Sequence, residues 1–275
     1  MLKNILQDIV NNKRQQGVPD FVIKNFIKEY LQYPTLEFIY SQKEYQNFIF
    51  TGGSCLRMCF GLPRLSEDLD FDLSATNFKK LDLPKMAKRL EKYFSQKFMV
   101  DVITKCQGKT RIYLKFPILK DLGLATTGES QLLYVKIEPN QTIFKNHKIE
   151  LTPISNYGFN TLVRNYTQQF LMTGKLNAIF TREWFKGKDN DVDVKGRDFY
   201  DLFWYLEKQI EPDFKNLKRL TNIDNWTQLK KLLKEKINKK VTTQKLSYDL
   251  KNFFSDQNFV IDFCKNYTQI INKFL

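Results

Sequence analysis

One histidine, His147, is all that 275 residues supply, and that scarcity argues against serine–histidine hydrolysis and metal–histidine chemistry alike. Cysteine is scarce too. Cys55, Cys59, Cys106 and Cys264 are too few and too scattered for a disulfide scaffold, so they read as reduced thiols. Cys55 and Cys59 are four apart and share a face of a helix, but a structural zinc ion takes four ligands, so small core side chains are the expectation. No apolar run approaches the roughly 20 residues that a membrane span requires. The opening "MLKNILQDIVNNKRQQ" lacks the apolar core and small-residue cleavage site of a signal peptide, which points to a cytoplasmic protein. Two nucleotide-binding signatures are missing as well: the chain has neither G-x-x-x-x-G-K-[ST] nor G-x-G-x-x-G.

What is abundant is positive charge. Lys and Arg number 44 against 30 Asp and Glu, a formal net charge of +14, and this excess favours a polyanionic partner, nucleic acid before membrane. The composition, 42% hydrophobic and 27% charged, is that of a globular chain long enough for one large domain or two modest ones. Two are expected. Helical periodicity runs through "LKNILQDIVNNK" and "FVIKNFIKEYLQYPTLEF", split by Gly17–Pro19. Then "FIF" reads as a short strand, Ser54 as the cap of a helix over "CLRMCF" that ends at Gly61–Pro63, and "LDFDL" as a strand. A helix over 84–95 and strands in "KFMVDVITKC", "TRIYLKF" and "LLYVKIE" complete a half of mixed helix and sheet up to about residue 155. Beyond it the pattern is helical, starting with "LVRNYTQQFLMTGKLNAIFTREWF". The expected domains are therefore 1–155 and 156–275.

The chemistry concentrates in "FIFTGGSCLRMCFGLPRLSEDLDFDL". Asp68, Asp70 and Asp72 alternate with Leu69, Phe71 and Leu73, which on a strand puts three carboxylates on one face and the apolar side chains on the other. Like charges stacked this way call for a cation, and acidic pairs at this spacing suit Mg²⁺, a hard ion that takes oxygen ligands. Upstream, the strand–Gly52–Gly53–Ser54–helix turn offers close backbone approach, a hydroxyl and a helix N-terminus, the features a phosphate chain needs. Together they can hold a nucleoside triphosphate and a metal.

The same residues resemble a known family. G-G-S followed by D-x-D on the next strand resembles the polymerase-β-type nucleotidyltransferase superfamily, and "GGSCLRMCFGLPRLSEDLDFDL" is similar to the AbiEii/MenT-like toxins of bacterial toxin–antitoxin systems. "VKIE" resembles that family's Lys-x-Glu strand, "GKLNAIFTR" its helical lysine with an arginine seven residues on, and "GRDFYDLFW" its Arg-Asp-x-x-Asp helix start. The resemblance implies an α+β fold, a polymerase-β-like nucleotidyltransferase core with a mixed sheet followed by a mainly helical C-terminal domain. It further implies Asp68, Asp70, Lys175 and Asp198 as catalytic residues, with functional expectations also on Arg197 and Asp201. Gly52, Gly53, Ser54, Arg57, Arg64, Ser66, Lys136 and Arg182 would bind the NTP. Asp68, Asp70 and Glu138 would hold Mg²⁺ or Mn²⁺. The implied reaction moves NMP from an NTP donor to an RNA acceptor, the tRNA 3′ end foremost, which would block translation and be countered by a cognate antitoxin protein. Rival readings are a small-molecule, antibiotic-type nucleotidyltransferase, a protein NMPylating enzyme and a non-catalytic nucleotide-binding regulator.

Two further features invite plainer readings. Asp189, Asp191 and Asp193 mimic the start of an EF-hand loop, but Val194 stands where the glycine belongs, so a solvated loop is expected. In "KKLLKEKINKK", Leu232, Leu233 and Ile237 are expected to face inward, leaving the lysines on a solvated or RNA-facing side.

Overall fold

The computed structural model describes residues 2–126, 128–186 and 192–275. Its chain divides into two compact units, Met1–Ile143 with Ile149–Asn165, and Phe144–Lys148 with Tyr166–Leu275.

The first unit opens with α1 (Leu2–Gln15) and α2 (Asp20–Ser41). Gly17 separates them in the left-handed region, φ 72°, where a side chain would be strained. Next come β1 (Ile49–Thr51), α3 (Gly52–Phe60), β2 (Asp68–Leu73), α4 (Ala75–Lys80) and α5 (Leu83–Phe98). Five strands follow: β3 (Ile103–Gln107), β4 (Arg111–Pro117), β5 (Leu132–Gln141), β6 (Ile149–Asn156) and β7 (Phe159–Tyr166). All seven strands form one sheet in the order β3-β4-β5-β2-β1-β7-β6. The sheet is mixed: β1 runs antiparallel to β2 and parallel to β7, and β2 runs parallel to β5. α2 and α5 pack on it, and Phe94 of α5 meets Phe116 of β4 at 5.1 Å between ring centroids. Phe50 stacks on Phe71 at 5.4 Å in the core of the central strands.

The second unit is helical: α6 (Gln168–Thr181), α7 (Gly196–Glu207), α8 (Phe214–Thr221), α9 (Trp226–Lys240), α10 (Thr243–Leu250) and α11 (Gln257–Ile271). Buried aromatics bind it together, with Tyr200 of α7 edge-on to Phe254 at 4.8 Å and to Phe263 of α11 at 5.2 Å. On α9 the buried positions are Leu229, Leu233 and Ile237, while Leu232 is only half-buried.

The α+β class stands, and several local expectations change. The helix anticipated from Leu162 is instead strand β7 through Tyr166, because pairing with β1, where Phe50 faces Asn165, outweighs a helix-like spacing of apolar residues. α6 also stops at Thr181, short of Phe185. Ser54 is not a cap: α3 already begins at Gly52, and Thr51 holds the capping position. In "KFMVDVITKC" only the end is strand, since α5 runs on to Phe98 and Met99 closes it at φ 54°. Asp189 and Asp191 lie outside the described residues. Asp193 is not merely solvated: it pairs with Lys240 and, at 2.7 Å, with Lys245.

Candidate active site

In the first unit, the strand alternation does what the carboxylate ladder demands. Along β2 the apolar Leu69, Phe71 and Leu73 are buried and Asp68, Asp70 and Asp72 are half-buried on the other face. Antiparallel register sets Thr51 opposite Asp70, so the next residue, Gly52, lies against that carboxylate. Gly52 has φ +75°, and a Cβ there would fall 2.2 Å from Asp70 Oδ2. Any side chain would therefore be excluded twice, by conformation and by collision. Gly53 is hemmed in as tightly: a Cβ on it would meet Arg64 Nη2 and Ser66 Oγ, each at 2.8 Å. The loop "GLPRLS" thus folds back to bring a buried guanidinium and a hydroxyl to the diglycine turn. With the N-terminal turn of α3 starting there, backbone N–H groups and Arg64 supply positive potential beside Asp70.

Parallel register places Lys136 and Glu138 of β5 beside Asp68 and Asp70, with Val135 and Ile137 buried behind them. Lys136 Nζ lies 3.0 Å from Asp68 Oδ2 and 2.9 Å from Glu138 Oε2. Burial works to strip the proton from this ammonium, and the two carboxylates more than offset it, so its pKa is raised. Glu138 also binds Arg111 at the start of β4. Among the described residues, no group of three His, Cys, Asp or Glu side chains converges. Glu138, expected as a third metal ligand, is engaged here by Lys136 and Arg111.

Two of the other expected NTP-binding side chains have partners within the fold. Ser54 is fully buried and its hydroxyl donates to the Asp68 carbonyl oxygen, which ties α3 to β2. Arg57 is committed elsewhere: its Nε donates to Glu29 at 2.8 Å, and its Nη1 to the carbonyls of Leu62 and Pro63 at 3.2 and 2.9 Å. It braces α2 and the loop after α3.

The second unit carries its own charged cluster. Lys175 of α6 pairs with Asp198 at 2.6 Å and with Asp201 at 2.8 Å, and Arg182 pairs with Asp198 at 2.6 Å. Both aspartates are buried. Burial favours the neutral form of Asp198, but Lys175, Arg182 and Lys195 overcome it and hold the carboxyl well below the usual range. Gly196 lets α7 start where it must: a Cβ there would lie 2.6 Å from the Leu246 carbonyl oxygen of α10. Arg197 lies with its Nε 3.3 Å from Asp249 and its guanidinium 4.0 Å from the Phe253 ring.

Sequence reasoning missed Lys195 and Arg111. Burial, first, and then Arg197 push the Lys195 pKa down to about 8. Its only sequence signal is its place directly before "GRD"; Arg111 had none, because only the β4–β5 register brings it beside Glu138.

A mixed sheet bearing a diglycine turn against an acidic strand defines a nucleotidyltransferase core, and the comparisons agree. The family described as "Nucleotidyl transferase AbiEii toxin, Type IV TA system" matches residues 37–259. The chain belongs to this family of toxin nucleotidyltransferases. Among solved structures it is similar to MenT4, the nucleotidyltransferase toxin Rv2826c from Mycobacterium tuberculosis H37Rv, with a TM-score of 0.56, 13% identity, and coverage of 98% of this chain and 89% of that one. JHP933 from Helicobacter pylori aligns with a TM-score of 0.49 and 18% identity over 90% of this chain and 92% of that one. No curated protein matches the sequence.

Proposed function

We propose that the protein transfers NMP from an NTP to the hydroxyl of an RNA acceptor, foremost a tRNA 3′ end, and so blocks translation. The observation that carries this reading is the convergence of Gly52, Gly53, Arg64 and Ser66 with Asp70 on one patch of the sheet. The backbone N–H groups of the α3 start and the Arg64 guanidinium grip the triphosphate. The acceptor oxygen forms its bond to the α-phosphorus as the α–β phosphoanhydride breaks and pyrophosphate departs. Lys175 and Arg182 neutralise phosphate charge, and Asp198 holds both cations in place.

Asp68 and Asp70 are the residues to hold Mg²⁺ or Mn²⁺. They offer hard oxygen donors on one strand face, and Asp68 already takes the Lys136 ammonium at 3.0 Å, so a cation is at home there. Bound, the metal supplies charge neutralisation at the phosphates and a more acidic acceptor hydroxyl. A partner antitoxin follows from the family, and a protein antitoxin in a shared cytoplasm is the form proposed.

The test is incubation with each labelled NTP and total tRNA. Label is expected on tRNA with wild type and is lost, by at least about 100-fold, in Asp68→Ala. An unchanged melting temperature assigns that loss to chemistry. Label on protein or on an aminoglycoside, with none on RNA, overturns the RNA acceptor.

A further inference from the structure

A second basic feature lies in the helical unit, outside the Lys175–Asp198 cluster. A cleft of about 660 Å³ is lined by the segment Phe144–Lys148, the start of α6 and the start of α8, and Lys145, Lys148, Lys215 and Arg219 are among its lining residues. All four are exposed, and Lys145, Lys148 and Lys215 have no carboxylate within ion-pair distance among the described residues. Two acids also line the cleft, and each is engaged: Asp213 caps α8 by accepting from the Asn216 N–H at 2.7 Å, and Glu211 accepts from Trp226 Nε1 at 3.2 Å.

The cations are held together by backbone clamps rather than by counter-charges. Asn216 is buried, and its side chain accepts from the Lys145 N–H and donates to the Lys145 carbonyl, both at 2.9 Å. This fixes the 144–148 segment to α8. The Asp213 N–H donates to buried Thr173 at 2.8 Å, and the Thr173 hydroxyl donates to the Gln169 carbonyl at 2.8 Å, which fixes the loop before α8 to α6. Fold-level hydrogen bonds are therefore spent on assembling like charges around an open cleft, an arrangement that costs energy until an anion enters it. Phe214, half-buried, adds an aromatic surface at the rim.

We infer that this cleft binds the phosphate backbone of the RNA acceptor. The inference rests on the RNA reading of the function and extends it to residues that the family motifs do not include. Charge distribution agrees: residues 144–148 and 166–275 hold 22 Lys and Arg against 14 Asp and Glu.

The experiment measures anisotropy of fluorescently end-labelled total tRNA, without NTP, against Lys145→Ala/Lys148→Ala/Lys215→Ala and a control triple, Lys231→Ala/Lys234→Ala/Lys239→Ala on α9. The cleft triple is expected to bind tRNA about 10- to 100-fold more weakly and to lose about 2 to 3 from the slope of log K against log salt. NTP affinity and melting temperature stay at wild-type values, and arginine at the three positions restores binding. Equal weakening by the control triple, or loss of NTP affinity with tRNA binding intact, overturns the cleft. If wild type labels tRNA and the cleft triple binds like wild type, the cleft inference alone falls. If wild type neither binds nor labels any RNA, the acceptor reading falls and takes this one with it.

Discussion

Arg57 and Arg64 show how two arginines in one motif part company. Both precede the acidic strand and both look suited to phosphate, yet Arg57 is bound to Glu29, whose side chain is 3% exposed, while Arg64 lies against Gly53. Arg57→Ala leaves a carboxylate buried without its partner, so a loss of about 3 kcal/mol of stability is expected in urea unfolding, with the NTP KM unchanged in whatever folded fraction remains. Gly52→Ala is expected to cost about 1–3 kcal/mol through its positive φ and to displace Asp70, abolishing transfer. Asp198 belongs to the same scale. Its pKa in the folded protein lies below the ordinary 3.8, so its stabilisation is complete above that value and is lost as pH falls through the folded value. Acid titration of stability should therefore show a loss below about pH 4 that Asp198→Asn lacks, and that variant should be about 3 kcal/mol less stable at pH 7.

At the scale of elements, the start of α7 concentrates opposing demands. Gly196 packs against α10, Asp198 and Asp201 receive Lys175, and Lys195 stands just before the helix with its pKa pushed down to about 8. A lysine whose pKa falls on folding binds fewer protons in the native state, so between about pH 8 and 10.5 stability rises with pH. Lys195→Met should remove that rise and add about 2 kcal/mol at pH 7, measured by thermal melts across the range. The strands β6 and β7 make the opposite point. Their residues carry no clean alternation, with Leu151 and Leu162 exposed, so nothing local marks them as strands. Ladder pairing beside β1 decides them.

For the molecule as a whole, the net charge of +14 sets a prediction that does not depend on any one residue. The KM for RNA should climb steeply between 50 and 200 mM salt, by at least about 10-fold, while the KM for NTP moves much less, because only the polymer releases a condensed counterion atmosphere. Steady-state kinetics at two salt concentrations measure this directly.

The sequence by itself determined the family, the α+β class and the acidic ladder, since a two-residue strand period and a diglycine turn are local properties of adjacent residues. Only the tertiary structure decided which partners the polar side chains find within the fold. Ser54 turned inward to the Asp68 carbonyl, Arg57 went to Glu29, Glu138 to Lys136 and Arg111, and the lysines at 145, 148 and 215 were gathered around one cleft. Apart from the Lys136–Glu138 pair, two positions apart on one strand, these contacts join residues between 14 and about 70 positions apart. A charged or hydroxyl side chain satisfies its hydrogen bonds with whatever the fold brings near, and no local pattern encodes that neighbour.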